Sequence, residues 1–242
     1  MAPGRPRGSL DRRQALALLG RAGAVLVAGC GTAPEGPACT LAQELTTGPY
    51  WIDAQLERSD LRWDTHQVAT PNPRPGVPLV LEAQVVTSAD DGCHPVPGAQ
   101  VDLWQCDAWG LYSDESPSGT VGQDFLRGYQ RTDRVGRVVF STLYPGWYPG
   151  RTVHIHVRVR LFDPFSAPIT DVTTQLFFDD AVTDLVSATA PYANRGPRDT
   201  RNAGDPLYRQ GESVLVQLSG SPAAGYQGSV VLGVRIGEIR TG

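Results

Sequence analysis

The chain of 242 residues contains no lysine, because every one of its 21 basic residues is an arginine. Schiff-base catalysis, pyridoxal-phosphate chemistry and Walker-type phosphate loops each need a lysine amine, so the sequence excludes these functions. Long hydrophobic runs are also lacking, since no apolar stretch approaches the roughly 20 residues that a membrane-spanning helix needs. Histidine is scarce, with four in the chain, so a histidine-based metal site has few residues to draw on.

Negative charge is concentrated after the first 29 residues. Residues 1–29 have a net charge of +4, and the remainder of the chain has a net charge of −8 with histidine neutral. Binding of nucleic acid depends largely on neutralising phosphates with basic side chains. The sequence therefore predicts that nucleic acid is not a partner.

The N-terminus has the pattern of an export signal. Arg12 and Arg13 precede a short, weakly hydrophobic segment, and small residues follow up to Cys30. Paired arginines indicate the twin-arginine route, and the four residues that end at Cys30 resemble a lipobox, in which the cysteine is acylated after cleavage. We predict that residues 1–29 are an export signal and that Cys30 carries a lipid anchor. The protein would then be a membrane-anchored lipoprotein, or a periplasmic or extracellular protein.

The remaining cysteines would meet oxidising conditions in an exported protein, and such conditions favour disulfide bonds. Cys39, Cys93 and Cys106 are three in number, so one pair and one free thiol are the simplest arrangement. Cys93 and Cys106 flank a predicted strand or hairpin. We predict that these two form the pair.

Residues 76–242 show the pattern of an all-β domain. A hydrophobic content of 40% with 27 glycines and 20 prolines is typical of a loop-rich β-fold. Short apolar runs separated by turn residues predict strands at 78–87, 99–105, 127–132, 137–142, 152–161, 172–178, 213–218 and 228–236, with a short helix within 180–212. This spacing favours an antiparallel β-sandwich with few short helices. A tether and an extended arm are predicted before it, over residues 30–75.

One predicted strand carries two histidines. Between 152 and 161 apolar residues alternate with polar ones, among them His154 and His156, which is the two-residue period of a β-strand. Both imidazoles therefore project from one face and can share a metal ion. No histidine follows His156, so a cupin arrangement is excluded. A three-histidine zinc site with His66 or His94 stays open, and so do tyrosine ligands.

Four further motifs accompany this strand. They are T-G-P-Y at 47–50, W-Q-C-D-A-W-G-L-Y at 104–112, P-G-W-Y at 145–148 and T-Q-L-F-F at 174–178. With H-I-H at 154–156, this order resembles the intradiol ring-cleavage dioxygenases, the family of catechol and protocatechuate dioxygenases. The resemblance is strong over about residues 45–180. It implies an oxidoreductase with non-haem Fe(III) that cleaves catechols with O2, between the two hydroxylated carbons, to cis,cis-muconate-type diacids.

The resemblance also implies roles for individual residues. Two tyrosinates and two histidines hold iron in this family, and the motifs place the ligands at Tyr112, Tyr148, His154 and His156. Tyr148 is the ligand that the substrate is expected to displace. Arg151 and Gln175 fall on residues that line the substrate pocket and act in catalysis. Tyr50 falls at the mouth of the pocket.

The donor set suits ferric iron on chemical grounds. Ferric iron is a hard Lewis acid, and phenolate oxygen is a hard donor that stabilises Fe(III) over Fe(II). Two phenolates and two imidazoles leave a coordination position open, and a catechol is a bidentate oxygen ligand. An arginine close to the ring would stabilise negative charge on it, because the guanidinium keeps its proton at working pH.

Two other functions fit parts of the sequence. The motifs at 95–103, 132–140 and 145–148 are also similar to transthyretin-like β-sandwiches, which are non-catalytic binding or spacer modules of exported proteins. A hydrolytic zinc enzyme would use His154, His156 and a third histidine. The step of six residues from Tyr148 to His154 is shorter than in the larger protocatechuate enzymes, and the helical dimerisation domain of the catechol branch is absent. The substrate and the oligomeric state therefore stay open.

Overall fold

The computed structural model describes residues 40–66, 73–89 and 92–237. These residues all belong to the larger of two compact units of the chain, Gly36–Gly242. The predicted export signal at 1–29, the lipobox Cys30 and the first part of the predicted tether lie outside the described residues. The domain boundaries therefore stay predictions.

The described residues contain ten strands, which form two sheets. Sheet A contains β1 (Pro78–Ala89), β2 (Gly92–Pro95), β5 (Arg137–Leu143), β9 (Gln217–Ser221) and β10 (Gly225–Val234), and sheet B contains β3 (Gln100–Trp104), β4 (Arg127–Arg131), β6 (His154–Phe162), β7 (Pro168–Phe177) and β8 (Val214–Leu215). In sheet B the order is β4-β3-β6-β7-β8, so the strand with the two histidines is central. The sheets do not close into a barrel.

The predicted all-β sandwich is confirmed, with one refinement to its topology. Most neighbouring strands are antiparallel, but β1 pairs with β10, and β7 with β8, in parallel. Both sheets are therefore mixed. A parallel neighbour needs a long connection, and the many residues between β1 and β10 provide one.

The hydrophobic core lies between the two sheets. Leu79 and Leu81 of β1 belong to the same buried cluster as Leu103 of β3 and Ile155 and Val157 of β6. In β1, β3 and β6 every second side chain enters this core, as the pleat requires. The histidines of β6 therefore project from the opposite, outer face of sheet B.

All eight predicted strands are present, with shifted ends. The predicted strand at 213–218 is divided into β8 and β9, and β7 begins earlier, at Pro168. The sequence missed β2, because its four residues contain a proline and no apolar alternation. The short helix predicted within 180–212 is confirmed as α1 (Asp180–Ser187), which begins where Asp179 accepts hydrogen bonds from the backbone. No helix among the described residues is long and apolar enough to cross a membrane.

An extended arm, residues 40–66, runs along both sheets. Isolated bridges pair Leu41 with Gly233 and Asp60 with Ser141 in sheet A, and Glu57 with Tyr129 in sheet B. The backbone N–H of Arg58 donates to the carbonyl of Tyr129. The predicted packing of an arm on the sandwich is thus confirmed for this segment, which covers the outer face of sheet B near its histidines.

The predicted pairing of Cys93 with Cys106 is wrong. Cys93 forms a disulfide, but Cys106 is a free, buried thiol. Cys106 packs with Trp104 and Tyr112 beside sheet B, whereas Cys93 lies in β2, which belongs to sheet A. The two cysteines are close together along the chain, but Cys93 lies on β2 in sheet A and Cys106 follows β3 in sheet B.

Candidate active site

The centre of the site is the pair of histidines on β6. Their side chains are nearly inaccessible, with 2% of His154 and 1% of His156 exposed. The two Nε2 atoms lie 3.2 Å apart, because residues two positions apart on a strand share a face. Burial lowers the pKa of His154 to about 4 and the pKa of His156 well below its usual value. Both imidazoles are therefore neutral near pH 7 and can act as ligands.

The orientation of the His154 ring is fixed by a hydrogen bond to the backbone. Its Nδ1 lies 2.7 Å from the carbonyl oxygen of Thr152, and a carbonyl can only accept, so Nδ1 carries the proton. The lone pair is then on Nε2, which faces His156 and Tyr148. A hydrogen bond of this kind sets the tautomer of many metal-binding histidines.

Tyr148 reaches the histidines from the loop before β6. A turn that ends at Gly150, with φ of 81°, presents its phenol, and Tyr148 Oη lies 3.1 Å from His154 Nε2. Burial raises the pKa of Tyr148 to about 12, although the nearby Arg151 acts in the opposite direction. Without a metal ion this phenol therefore stays protonated at neutral pH.

Tyr112 is held from a different part of the chain. Asp107 accepts hydrogen bonds from the backbone N–H groups of Trp109 and Leu111, which fixes the turn before Tyr112. The Tyr112 ring lies 5.8 Å from that of Tyr148, between centroids. Its hydroxyl is buried without a hydrogen-bond partner among the described residues, and burial raises its pKa well above the usual value. A buried hydroxyl without a partner is costly unless something fills its place.

The extended arm covers the site on the outer face of sheet B. The Tyr50 ring stacks on the Tyr112 ring at 4.1 Å, with 14° between the planes. Gly48, at φ of 70°, passes so close to His156 that an added Cβ would lie 3.3 Å from His156 Cε1. On the other side, Trp104 of β3 stacks on His156 with centroids 4.8 Å apart. The site is thus enclosed by aromatic rings.

Arg151 and Gln175 border the same cluster. Gln175 lies on β7 directly opposite His156, and directly opposed residues share a face of the sheet. Arg151 Nη2 donates to Gln175 Oε1 at 2.5 Å. Gln175 is fully buried, and its Nε2 has no hydrogen-bond partner among the described residues, so it is a free donor beside the cluster.

The donor atoms fit a metal ion. Two ligand atoms bonded at about 2.1 Å, at angles of 90–110°, are separated by about 3.0–3.4 Å. The distances of 3.1 Å from Tyr148 Oη to His154 Nε2 and 3.2 Å between the imidazoles agree with this range. Two neutral nitrogens with two phenols suit a hard, highly charged cation, which would bind the phenols as their anions.

A third histidine does not join this pair. His66 has an exposed side chain and faces Asp64 and Asp124, and His94 lies on β2 in sheet A, opposite Thr87. Among the described residues, the only group of three or more His, Cys, Asp or Glu side chains with metal-ligand spacing is Asp64, His66 and Asp124. The three-histidine zinc site is therefore not formed there.

The group of Asp64, His66 and Asp124 is explained by local hydrogen bonding. Asp124 accepts a hydrogen bond from the backbone N–H of Thr65 at 2.8 Å and another from its hydroxyl. The guanidinium of Arg58 lies 3.6 Å from the same carboxylate. Arg58 offsets one of the two carboxylate charges, and exposed acidic groups are common without a metal ion, so we assign no metal to this group.

Three contacts of the site could not be predicted from the sequence, although Gly48 and Trp104 lie in motifs noted above. Gly48 and Trp104 contact His156, and Asp205 binds Arg151 from more than fifty residues away. The register that sets Trp104 beside His156 follows from strand pairing. The contact of Asp205 with Arg151 depends on the path of a long connection. Neither is a local pattern.

The sequence of the chain matches a known family. The profile of the family described as Dioxygenase matches residues 46–195, more than half of the chain. The chain therefore belongs to the intradiol ring-cleavage dioxygenases. All seven predicted site residues lie within the matched span.

Individual proteins support this assignment. An intradiol ring-cleavage dioxygenase from Tetranychus urticae is similar in structure, with a TM-score of 0.69 and 28% identity, over 84% of this chain and 98% of the other. The dioxygenase domain of a dioxygenase–carbohydrate-binding protein fusion from Streptomyces sp. SirexAA-E gives a TM-score of 0.55 and 29% identity, over 81% and 99% of the two chains.

A curated relative matches over a shorter stretch. Catechol 1,2-dioxygenase 1 of Acinetobacter lwoffii is 38% identical over 71 residues, which are 29% of this chain and 22% of that enzyme. The chain thus matches about a fifth of the length of this relative. Together the comparisons favour a dioxygenase over a transthyretin-like spacer module.

Proposed function

We propose that this protein is a non-haem Fe(III)-dependent dioxygenase that cleaves catechol-type rings with O2 between the two hydroxylated carbons. Both oxygen atoms enter the product, a cis,cis-muconate-type diacid. The observation that carries the proposal is the convergence of Tyr148 Oη and the Nε2 atoms of His154 and His156 at 3.1–3.2 Å, with the unpartnered hydroxyl of Tyr112 beside them.

In this proposal the four residues that hold the metal have different tasks. His154, His156 and Tyr112 are the lasting ligands, since each is almost fully buried. Tyr148 is more exposed, and we assign it as the ligand that gives way to the substrate and takes up a proton from the diol at Oη. The ferric ion, when bound, would supply the Lewis acid that holds the diol oxygens and allows the ring to react with O2.

Three further residues act on the substrate. Arg151 stabilises negative charge on the ring, because its cationic guanidinium is held beside the cluster by Gln175. Gln175 offers its free Nε2 donor to an oxygen of the substrate or of O2. Tyr50, on the arm, lines the mouth of the pocket and excludes water by stacking on Tyr112.

We also propose that the protein is exported, by the signal at residues 1–29, and anchored by a lipid at Cys30. Support comes from the sequence pattern, which lies outside the described residues. Cell fractionation of the natural chain and of Cys30→Ala tests this: the wild type should sediment with membranes and the variant should be released. A wild-type protein that stays in the cytosol would contradict export.

The decisive experiment for the reaction combines metal analysis with oxygen uptake. The purified protein should contain about one iron per chain and be red-brown, from charge transfer between tyrosinate and Fe(III). It should consume O2 with at least one member of a panel of catechols and release a ring-opened diacid. Iron-free, colourless protein from iron-replete cells, or a product cleaved outside the diol, would contradict the proposal.

Tyr148→Phe and Tyr129→Phe form a matched pair for this experiment. Tyr129 lies on β4 and directs its hydroxyl at Glu57, away from the metal ligands. Tyr148→Phe should lower oxygen uptake far more than iron content, because three ligands remain. Tyr129→Phe should change neither. Unchanged uptake in Tyr148→Phe would remove this residue from the mechanism.

A further inference from the structure

A buried carboxylate lies behind the arginine of the site. Asp205 comes directly after a short 3-10 helix, Asn202–Gly204, and its side chain is completely buried. Its Oδ2 accepts from Arg151 Nε and from the backbone N–H of Thr152, both at 2.8 Å. Its Oδ1 accepts from the backbone N–H of Leu207 at 2.8 Å. All of these partners are donors, so the site is built for a charged carboxylate.

The charge of Asp205 is stabilised in spite of its burial. Burial alone would raise the pKa of this carboxyl, but hydrogen bonds from Arg151, Leu207 and Thr152 hold it below its usual value. The guanidinium of Arg151 is thus bound on two edges, with Nε on Asp205 and Nη2 on Gln175. A planar guanidinium held at two points has a fixed orientation.

The same segment also supports the histidine ligand. Asn202 Oδ1 accepts from Thr152 Oγ1 at 2.8 Å, and Asn202 Nδ2 donates to the carbonyl of Phe178 at 2.8 Å. Thr152 therefore donates its N–H to Asp205 and its hydroxyl to Asn202. Its carbonyl accepts a hydrogen bond from His154 Nδ1. Residues 202–205 lie beyond the span 46–195 that the family profile matches.

We propose that Asp205 is a positioning residue, which orients the Arg151 guanidinium towards the substrate. The inference rests on the proposed function for its catalytic purpose. The contact itself does not depend on that function, so the two are tested separately.

Asp205→Asn is the appropriate variant, because it keeps the volume and removes the charge. One of the two oxygens becomes an NH2 group and must face donors, either Arg151 and Thr152 or Leu207. The matched control is Asp199→Asn. Asp199 is an exposed carboxylate on the same connection, and it accepts from the backbone N–H of Gly150 rather than from Arg151.

The first readout is independent of iron and of turnover. Phenylglyoxal modifies free guanidinium groups, and peptide mass spectrometry gives the rate at each arginine. Arg151 should be protected in the wild type and in Asp199→Asn and become severalfold more reactive in Asp205→Asn, relative to the half-exposed Arg137. An unchanged rate at Arg151 would overturn the proposal. If Asp205→Asn does not fold, Asp205→Glu takes its place.

The second readout is the kinetic cycle with Arg151. Asp205→Asn should lower kcat by about 10–100-fold, as loss of a supporting residue does, while KM, iron content and anaerobic binding of 4-nitrocatechol change little. In an Arg151→Ala background the same substitution should have almost no further effect on kcat. An equal loss in both backgrounds would show that Asp205 does not act through Arg151 and would overturn the proposal.

The failure of the proposed function is distinguishable from the failure of this inference. A wild-type protein that takes up no O2 with any catechol contradicts the dioxygenase. If phenylglyoxal nevertheless modifies Arg151 faster in Asp205→Asn, Asp205 does position Arg151, and only the catalytic role assigned to this contact is contradicted.

Discussion

The outer faces of the two sheets show how a covered face differs from an exposed one. On sheet A most outward side chains of β1 and β5 are partly or fully open to solvent, among them Glu82, Gln84 and Val139. On sheet B every residue of β3 is buried, and so are both histidines of β6. Both sheets have the same alternation, with one face in the core. The difference is the arm and the loops, which cover sheet B alone near its histidines.

Covering a polar face has a chemical consequence. A polar group removed from water must find a partner or remain costly. On this side of the molecule Asp102 of β3 pairs with Arg160 of β6, and Asp205 pairs with Arg151 of the loop before β6. The donor atoms of Tyr148, His154 and His156 instead face one another, and the Tyr112 ring lies beside them. A face where charges are satisfied and donors converge is a place for a ligand, whereas the outer face of sheet A is an ordinary solvated surface.

The largest effect is expected from removing one donor of the covered face. His154→Ala should weaken iron binding by more than the roughly 10–100-fold that loss of a supporting residue costs, because a ligand itself is lost. Iron content and oxygen uptake measure this. His66→Ala, which changes an exposed histidine, should leave both unchanged. Full iron occupancy in His154→Ala would contradict the assigned ligand set.

The next largest effect is expected on stability, from truncating a side chain on each of the two outer faces. Trp104 is 1% exposed and stacks on His156, so Trp104→Ala should lower the free energy of unfolding by about 3–5 kcal/mol. Val139→Ala, on the exposed face of β5, should change it by less than about 0.5 kcal/mol. Denaturant unfolding of the two variants gives the comparison. Similar losses would mean that the outer face of sheet B is not packed as described.

Acid should destabilise the metal-free protein through the same face. The pKa of His154 is about 4 when folded and near its ordinary value when unfolded, so between these values the unfolded chain binds more protons. Stability is therefore complete above about pH 6.5 and falls towards pH 4, by about 3 kcal/mol for this residue. Unfolding of the metal-free protein across this range measures the slope. The slope should be shallower in His154→Gln than in the wild type; an equal slope in the two proteins would contradict a buried, neutral His154.

The smallest difference in stability is expected between variants that break one ion pair on each sheet. Asp102 and Arg160 lie 2.8 Å apart and are both nearly buried, and Asp102→Ala should cost about 2 kcal/mol. This is below the roughly 3–5 kcal/mol for breaking a buried pair, because Arg160 keeps Asp53 as a second partner. Glu82→Ala on sheet A breaks a half-exposed pair with Arg137 at 3.5 Å and should cost at most about 1 kcal/mol. Thermal unfolding decides whether this order holds.

Local patterns in the sequence predicted some features and could not predict others. The alternation around His154 and His156 predicted their shared face, and turn residues predicted eight strands. The pairing of Cys93 with Cys106 was wrong, because proximity along the chain does not tell which sheet a strand joins. The parallel entry of β10 beside β1 was also not predictable, since strand order depends on long-range packing.

The sequence by itself determined that two imidazoles share one face of a strand, and its motifs determined the family. Only the tertiary structure decided that this face is turned away from the core and covered by Gly48 and Tyr50. It also decided that Asp205 binds Arg151. The physical reason is that periodicity is a property of neighbouring residues, whereas burial and hydrogen bonding between distant segments depend on how the complete chain packs.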